Sequence, residues 1–181
     1  MPSILKRIYR KIVPLQTSPL HVINGKDVIF IHINKTGGTS VLNALNLTKS
    51  HLTAKEIIEK VGRDKYENAY KFAAVRNPWD KALSHYKYRI KTNQTNLGTN
   101  TIPFKEWLKD NDGKININEI MKFENLNSEF LRIAATLELE LTLPHLNKTN
   151  KVNYREFYDE ESKDIIGNWF TEDIRQFGYD F

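Results

Sequence analysis

The sequence predicts an α/β fold: one domain whose central, mostly parallel sheet carries helices on both faces. Three observations predict it. Val28–Ile33, Tyr70–Arg76 and Ile120–Glu124 are short runs that read as buried strands. Each is followed by a stretch with helical spacing, so strands and helices alternate as they do in parallel sheets. No repeat or internal boundary interrupts residues 25–181, which read as a single domain, while residues 1–24 read as an N-terminal helix and connector.

Composition narrows the possibilities. A chain of 181 residues is long enough for one good core. With 40% hydrophobic and 27% charged residues it is globular in type rather than disordered. The 27 Lys and Arg exceed the 22 Asp and Glu by five, which suits an anionic ligand. Cysteine is absent, which excludes disulfides, thiolate metal sites and a cysteine nucleophile, and fits a reducing, cytoplasmic setting. No run of apolar residues is long enough for a transmembrane segment. Ile4 to Leu15 mixes apolar residues with Lys6, Arg7, Arg10 and Lys11. It reads as a helix packed on its own domain. The alternative is a weak membrane-surface contact through residues 4–15, which would make the protein peripheral.

The elements follow in order. Pro14 to Asn24 holds two prolines and little periodicity, and reads as a connector. Val28–Ile33 is the first strand, broken by Asn34 to Gly38. Thr39 and Ser40 are placed to cap a helix over about 39–47. Thr53 with Glu56 forms a capping-box pattern for a helix over 54–61, stopped at Gly62, with His51 in the loop before it. Tyr70–Arg76 is the second strand. Asn77-Pro78 then launches a helix to about Lys91, with Leu83, Tyr86 and Ile90 on one side at spacings of three and four.

Residues 92–101 form a polar loop, and residues 92–118 are the expected lining for an acceptor. Pro103–Leu108 is a short helix. Asp110–Gly113 is a turn that resembles the start of a calcium loop but lacks the later acidic ligands, so no metal is expected. Ile120–Glu124 is the third strand. A helix from about 127 to 137 should bury Phe130, Leu131 and Ala134. Leu143–Lys151 is a basic loop. Two or three short helices follow, one starting near Asp159-Glu160-Glu161. Trp169, Phe170, Phe177, Tyr179 and Phe181 are expected to lock the end of the chain onto the core.

Strand, glycine loop and helix together make a geometry that holds a phosphate. Glycines allow close backbone approach, and N–H groups at a helix start point at the anion. Lys35, Thr36, Gly37, Gly38, Thr39 and Ser40 therefore read as a cradle for a nucleotide's 5′-phosphate. In a Walker A loop the lysine follows the glycines. Here Lys35 precedes them, and the second strand ends in Arg76 rather than in an acid suited to magnesium. Arg76 implies a second phosphate, with Ser84 eight residues further along the helix. A nucleotide with 5′ and 3′ phosphates has the matching shape.

These segments resemble a known family. Ile29–Ser40 is similar to the 5′-phosphosulfate-binding loop of sulfotransferases that use 3′-phosphoadenylyl sulfate (PAPS), and Val75–Ser84 to their 3′-phosphate segment. Phe123–Leu126, Leu143–Thr149 and Phe177–Phe181 resemble the carbohydrate branch that includes heparan sulfate 2-O- and 6-O-sulfotransferases. The resemblance spans about residues 28–181. Asn34 stands where the family usually has proline, and Lys81 where it usually has arginine.

The resemblance implies a P-loop-like three-layer fold. It also implies PAPS as donor, adenosine 3′,5′-bisphosphate as product, no metal, and an acceptor hydroxyl on a glycan. Lys35 would stabilise the leaving phosphate, Arg76 and Ser84 would hold the 3′-phosphate, and Asn147, Lys148 and Thr149 would cover the nucleotide. His51 matches in order a catalytic histidine of the 6-O branch and is the candidate base, while a surface histidine near a helix start is the plain alternative. His32, within an apolar strand, reads as satisfying a core hydrogen bond rather than as catalytic, His85 as structural, and His145 as orienting its loop or approaching substrate. Two other readings remain: an atypical P-loop kinase needing ATP and magnesium, and a non-catalytic nucleotide-binding module. No motif for specific nucleic-acid recognition stands out.

Overall fold

A computed structural model describes residues 18–93, 103–144 and 153–181. Residues 4–15 and most of the 92–101 and 143–151 loops lie outside them.

The chain enters the fold through a strand that the sequence reading takes for connector. Strand β1 (Leu20–Ile23) pairs antiparallel with β2 (Lys26–Ile31) through the turn Asn24-Gly25. Both turn residues have positive φ, 48° and 77°, as a two-residue hairpin of type I′ requires. Then come α1 (Gly38–Leu45), α2 (Ala54–Val61), α3 (Arg63–Asn68), β3 (Tyr70–Val75) and α4 (Pro78–Thr92). They are followed by α5 (Phe104–Leu108), β4 (Glu119–Lys122) and α6 (Leu126–Thr136), and then by α7 (Glu160–Trp169) and α8 (Thr171–Phe177). Single 3₁₀ turns lie at Phe123–Asn125 and Tyr154–Phe157.

The sheet runs β1-β2-β3-β4, with β2–β3 and β3–β4 parallel and β1–β2 antiparallel. It is thus a mixed sheet, not a mostly parallel one, because the tight Asn24-Gly25 turn adds an antiparallel edge. Helices cover both faces, as expected. Alternation along β2 sends Val28 and Phe30 to one face, where α1 and α6 pack through Val41, Leu42, Phe130 and Ile133. Ile29 and Ile31 point the other way, toward Ile57 of α2, Tyr66 of α3, Trp107 of α5 and Phe177 of α8.

Helix ends match their local chemistry. At α2, the Thr53 hydroxyl accepts from Glu56 N–H at 3.4 Å, and the Glu56 carboxylate accepts from Thr53 N–H at 2.7 Å. At α4, Pro78 takes the first position and Asn77 Oδ1 accepts from Trp79 N–H at 3.1 Å. The carboxylate of Asp159 accepts from Ser162 N–H at 2.8 Å at the start of α7.

One helix face is covered over only half its length, and another differs from expectation. On α4 burial stops at Leu83, and Tyr86 and Ile90 are 63% and 64% exposed. Their spacing is helical, but the elements that pack on α4, α7 and the Tyr154–Phe157 turn, leave its second half exposed. On α6 the inward stripe is Phe130, Ile133 and Ala134, with Leu131 exposed beside it. At the end of the chain Phe170 and Phe177 are buried, whereas Trp169 is exposed. Phe181 lies 5.4 Å from Trp79, 5.8 Å from Tyr154 and 5.6 Å from Tyr158, ring centre to ring centre.

Two buried lysines show how charge is accommodated inside. Lys71 Nζ donates to the carbonyls of Tyr66, Glu67 and Ala69 at 2.9, 3.0 and 2.6 Å, closing the C-terminal end of α3. The Lys81 ammonium lies 4.2 Å from the Phe104 ring centre, and burial pulls its pKa down to about 7. The charge of Asp173 partly offsets that burial. Asp173 in turn accepts from Phe104 N–H and Lys105 N–H at 2.7 and 2.8 Å. Lys81 therefore belongs to the core, away from the glycine loop. No helix among the described residues is long and apolar enough to cross a membrane.

Candidate functional site

The three parallel strands end at one edge of the sheet, and each end leads into the site. β2 leads to the glycine loop, β3 to Arg76 and β4 to Phe123. Ligands of open α/β sheets bind at the carboxyl edge.

The loop is shaped by backbone. Lys35 has φ 65° and Gly37 φ 80°, both left-handed. The expected caps at Thr39 and Ser40 do not form. Gly37 is the residue before α1 and has no side chain to cap it; Ser40 N–H donates to Gly37 O at 3.1 Å. A side chain at Gly37 would meet Leu126 and Phe123, with Cβ 2.6 Å and 2.9 Å from their nearest atoms. A side chain at Gly38 would meet His32, at 2.2 Å from Cδ2. Thr36 is turned inward: it is fully buried and its hydroxyl donates to Ile33 O at 2.9 Å. Thr39 is exposed and Ser40 half-buried.

Arg76 comes to this loop rather than standing apart from it. Its Nη1 donates to Lys35 O at 3.0 Å and its Nε to Asp80 Oδ2 at 2.8 Å. Its guanidinium carbon lies 4.0 Å from the Phe123 ring centre. Lys35 Nζ lies 4.5 Å from the Tyr88 ring centre. Burial first, then the Arg76 charge, lower the Lys35 pKa below its ordinary value. Ser84 is half-buried on α4, one helical turn before Tyr88. His85 is held below its ordinary pKa by burial and by Arg89, Lys35 and Lys81.

The structure also places His51 beside the loop. Its Nδ1 lies 3.0 Å from His32 O, and a carbonyl can only accept, so Nδ1 donates and Nε2 keeps its lone pair. The His51 and His32 rings are 4.3 Å apart. His51 is half-buried, and burial is the main cause of its lowered pKa, opposed by the bond to His32 O and aided by Lys49. His32 itself is buried, but its Nδ1 has no hydrogen-bond partner, so the core hydrogen bond expected of it is not made there. Burial, then the charges of His51 and Lys49, push its pKa down to about 3.

His145, Asn147, Lys148 and Thr149 lie outside the described residues. Sequence reasoning gave Asp80, Tyr88 and Phe123 no individual role, although Asp80 and Phe123 lie in the segments that carry the resemblance. Asp80 and Tyr88 sit one helical turn beyond Arg76 and Ser84, a spacing that could have flagged them. Phe123 directly follows β4, at the same edge as the loop. Among the described residues no group of three or more His, Asp or Glu stands ready to hold a metal ion. A shallow hollow lined by Pro103, Lys105, Trp169 and Asp173 lies elsewhere and shares no residue with this edge. No family model, curated protein or solved structure matched the chain.

Proposed function

We propose that this chain is a sulfotransferase with a P-loop-like fold, moving the sulfuryl group of PAPS to an acceptor hydroxyl, with a carbohydrate as the acceptor. One observation carries the reading: Arg76 is bonded to the Lys35 carbonyl of the glycine loop, just before the start of α1, with His51 beside the loop and its Nδ1 donating to His32 O. The donor set fits a phosphate-bearing nucleotide. Gly37 and Gly38 carry no side chain at the first turn of α1, where Phe123, Leu126 and His32 pack closely, and the Asp80 carboxylate is paired with Arg76.

When bound, PAPS supplies an activated sulfuryl group and a phosphate leaving group. Lys35 neutralises the charge that builds on the departing oxygen, and the N–H groups at the start of α1 hold the 5′-phosphate. Arg76 and Ser84 hold the 3′-phosphate, a role for which a planar, permanently charged guanidinium is suited. His51 takes the acceptor hydroxyl's proton on Nε2. Asn147, Lys148 and Thr149, which lie outside the described residues, are assigned nucleotide contacts by the family resemblance alone. Positioning and electrostatics do the work, as in phosphoryl transfer, with no covalent step on the protein.

The test is calorimetric binding of adenosine 3′,5′-bisphosphate, followed by transfer from labelled PAPS to a panel of glycans, lipids and small alcohols. Lys35→Ala and Arg76→Ala should each weaken nucleotide binding by about 10–100-fold, the range for losing a charged hydrogen-bond partner. Wild-type affinity in both variants rejects the site. Tight binding without transfer to any acceptor favours a non-catalytic module, and a requirement for ATP and magnesium favours a kinase.

A further inference from the structure

Phe123 touches both halves of the site. Its ring lies 4.0 Å from the Arg76 guanidinium carbon. The same ring closes the space over Gly37, where a Cβ would lie 2.9 and 3.1 Å from Cδ2 and Cε2. The next residue, Glu124, accepts the N–H of Asn77 at 2.7 Å, directly after Arg76 in the chain. The turn after β4 thus grips residues 76 and 77 and braces the glycine loop.

Phe123 is half-buried and belongs to neither apolar cluster of the core, so its packing serves this edge. With one face of Arg76 on the ring, Nε on Asp80 and Nη1 on Lys35 O, the guanidinium has little freedom to turn. A flat ring can support a planar cation in this way. An aliphatic side chain fills similar space but offers no π face.

We propose that Phe123 is a positioning residue that sets Arg76 in register with the glycine loop, so that selection for a nucleotide bearing a 3′-phosphate depends on it. The proposal rests on the PAPS reading of the site.

The experiment compares two ligands, adenosine 3′,5′-bisphosphate and adenosine 5′-monophosphate, by calorimetry on the full chain. The wild type should prefer the bisphosphate. Phe123→Leu should reduce that preference about tenfold, the loss falling mainly on the bisphosphate, and Phe123→Tyr should keep it. An unchanged preference in Phe123→Leu overturns the proposal, as does an equal loss for both ligands, which would mark a purely structural residue. Arg76→Lys reads the same contact from the other side if the leucine variant does not fold. It keeps the charge, loses the planar face, and should lose the same preference; a wild-type preference there also overturns the proposal. A wild type that binds both nucleotides equally refutes the PAPS reading itself, and this proposal with it, before any variant is made.

Discussion

Gly38→Ala tests the packing beneath the glycine loop. Gly38 is not in the left-handed region, so its backbone would accept alanine. The obstacle is space: a Cβ there would lie 2.2 Å from His32 Cδ2, 2.5 Å from Nε2 and 3.2 Å from Phe30 Cζ. His32 has little room to give way. It is 4% exposed, stacked on Phe30 at 5.5 Å and set against His51 at 4.3 Å. Overpacking of this kind costs about 1–3 kcal/mol. Alanine recovers at most about 1 kcal/mol in helix propensity, and less at a helix start. A net loss of about 1–2 kcal/mol should lower Tm by about 2–8 °C in a chain of this size. In a His32→Ala background the clashing atoms are gone and Gly38→Ala should be neutral or stabilising. Urea unfolding of the four proteins in the cycle measures the coupling, expected at about 1–3 kcal/mol. Equal destabilisation in both backgrounds would refute the reasoning.

Two further expectations concern the histidines. His51→Ala should keep adenosine 3′,5′-bisphosphate affinity within about twofold while lowering turnover by about 10²–10⁴. Undiminished turnover rejects it as the base. Because burial lowers its pKa, wild-type kcat/KM should hold down to acid pH and fall with a midpoint below 6.5; a midpoint above that value contradicts the assignment. For His32 the pKa is 6.5 unfolded and about 3 folded. As pH falls the unfolded chain takes up the proton first, so the stability tied to the neutral ring is full above 6.5 and is lost between 6.5 and about 3. The loss is at most about 1.4 kcal/mol per pH unit. His32→Phe should flatten the decline in unfolding free energy between these limits, and an unchanged slope would show that His32 does not carry it.

Local chemistry was legible where few residues decide it. Thr53 with Glu56, and Asn77 with Pro78, specify helix starts within four residues, and the structure has both. β1 escaped the reading because it is four residues long and includes a histidine, although Asn24-Gly25 carries a strong hairpin signal. Tyr86 and Ile90 have the right spacing for a buried face, but spacing cannot say how far the neighbouring elements extend. In the site, the loop, Arg76 and His51 were legible through their order. What was not legible is who touches whom: the guanidinium on Lys35 O, the ring of Phe123 against Gly37, and the His32 carbonyl that sets the tautomer of His51. Lys71 and Lys81 look like surface charges in sequence. Only the folded chain supplies the three carbonyls and the aromatic rings that hold them inside.

The last residues also bear on the order of assembly. Asn77 Nδ2 donates to Asp180 O at 2.8 Å, Lys122 Nζ donates to Phe177 O at 2.6 Å, and Phe181 sits against Trp79. The ends of β3 and β4 are therefore fastened by residues synthesised long after them. During translation the glycine loop and Arg76 leave the ribosome well before their brace does, and these closures join residues 103 and 55 positions apart, long-range contacts of the kind that slow folding. The carboxyl edge of the sheet should therefore become rigid only after residues 177–181 have docked on it.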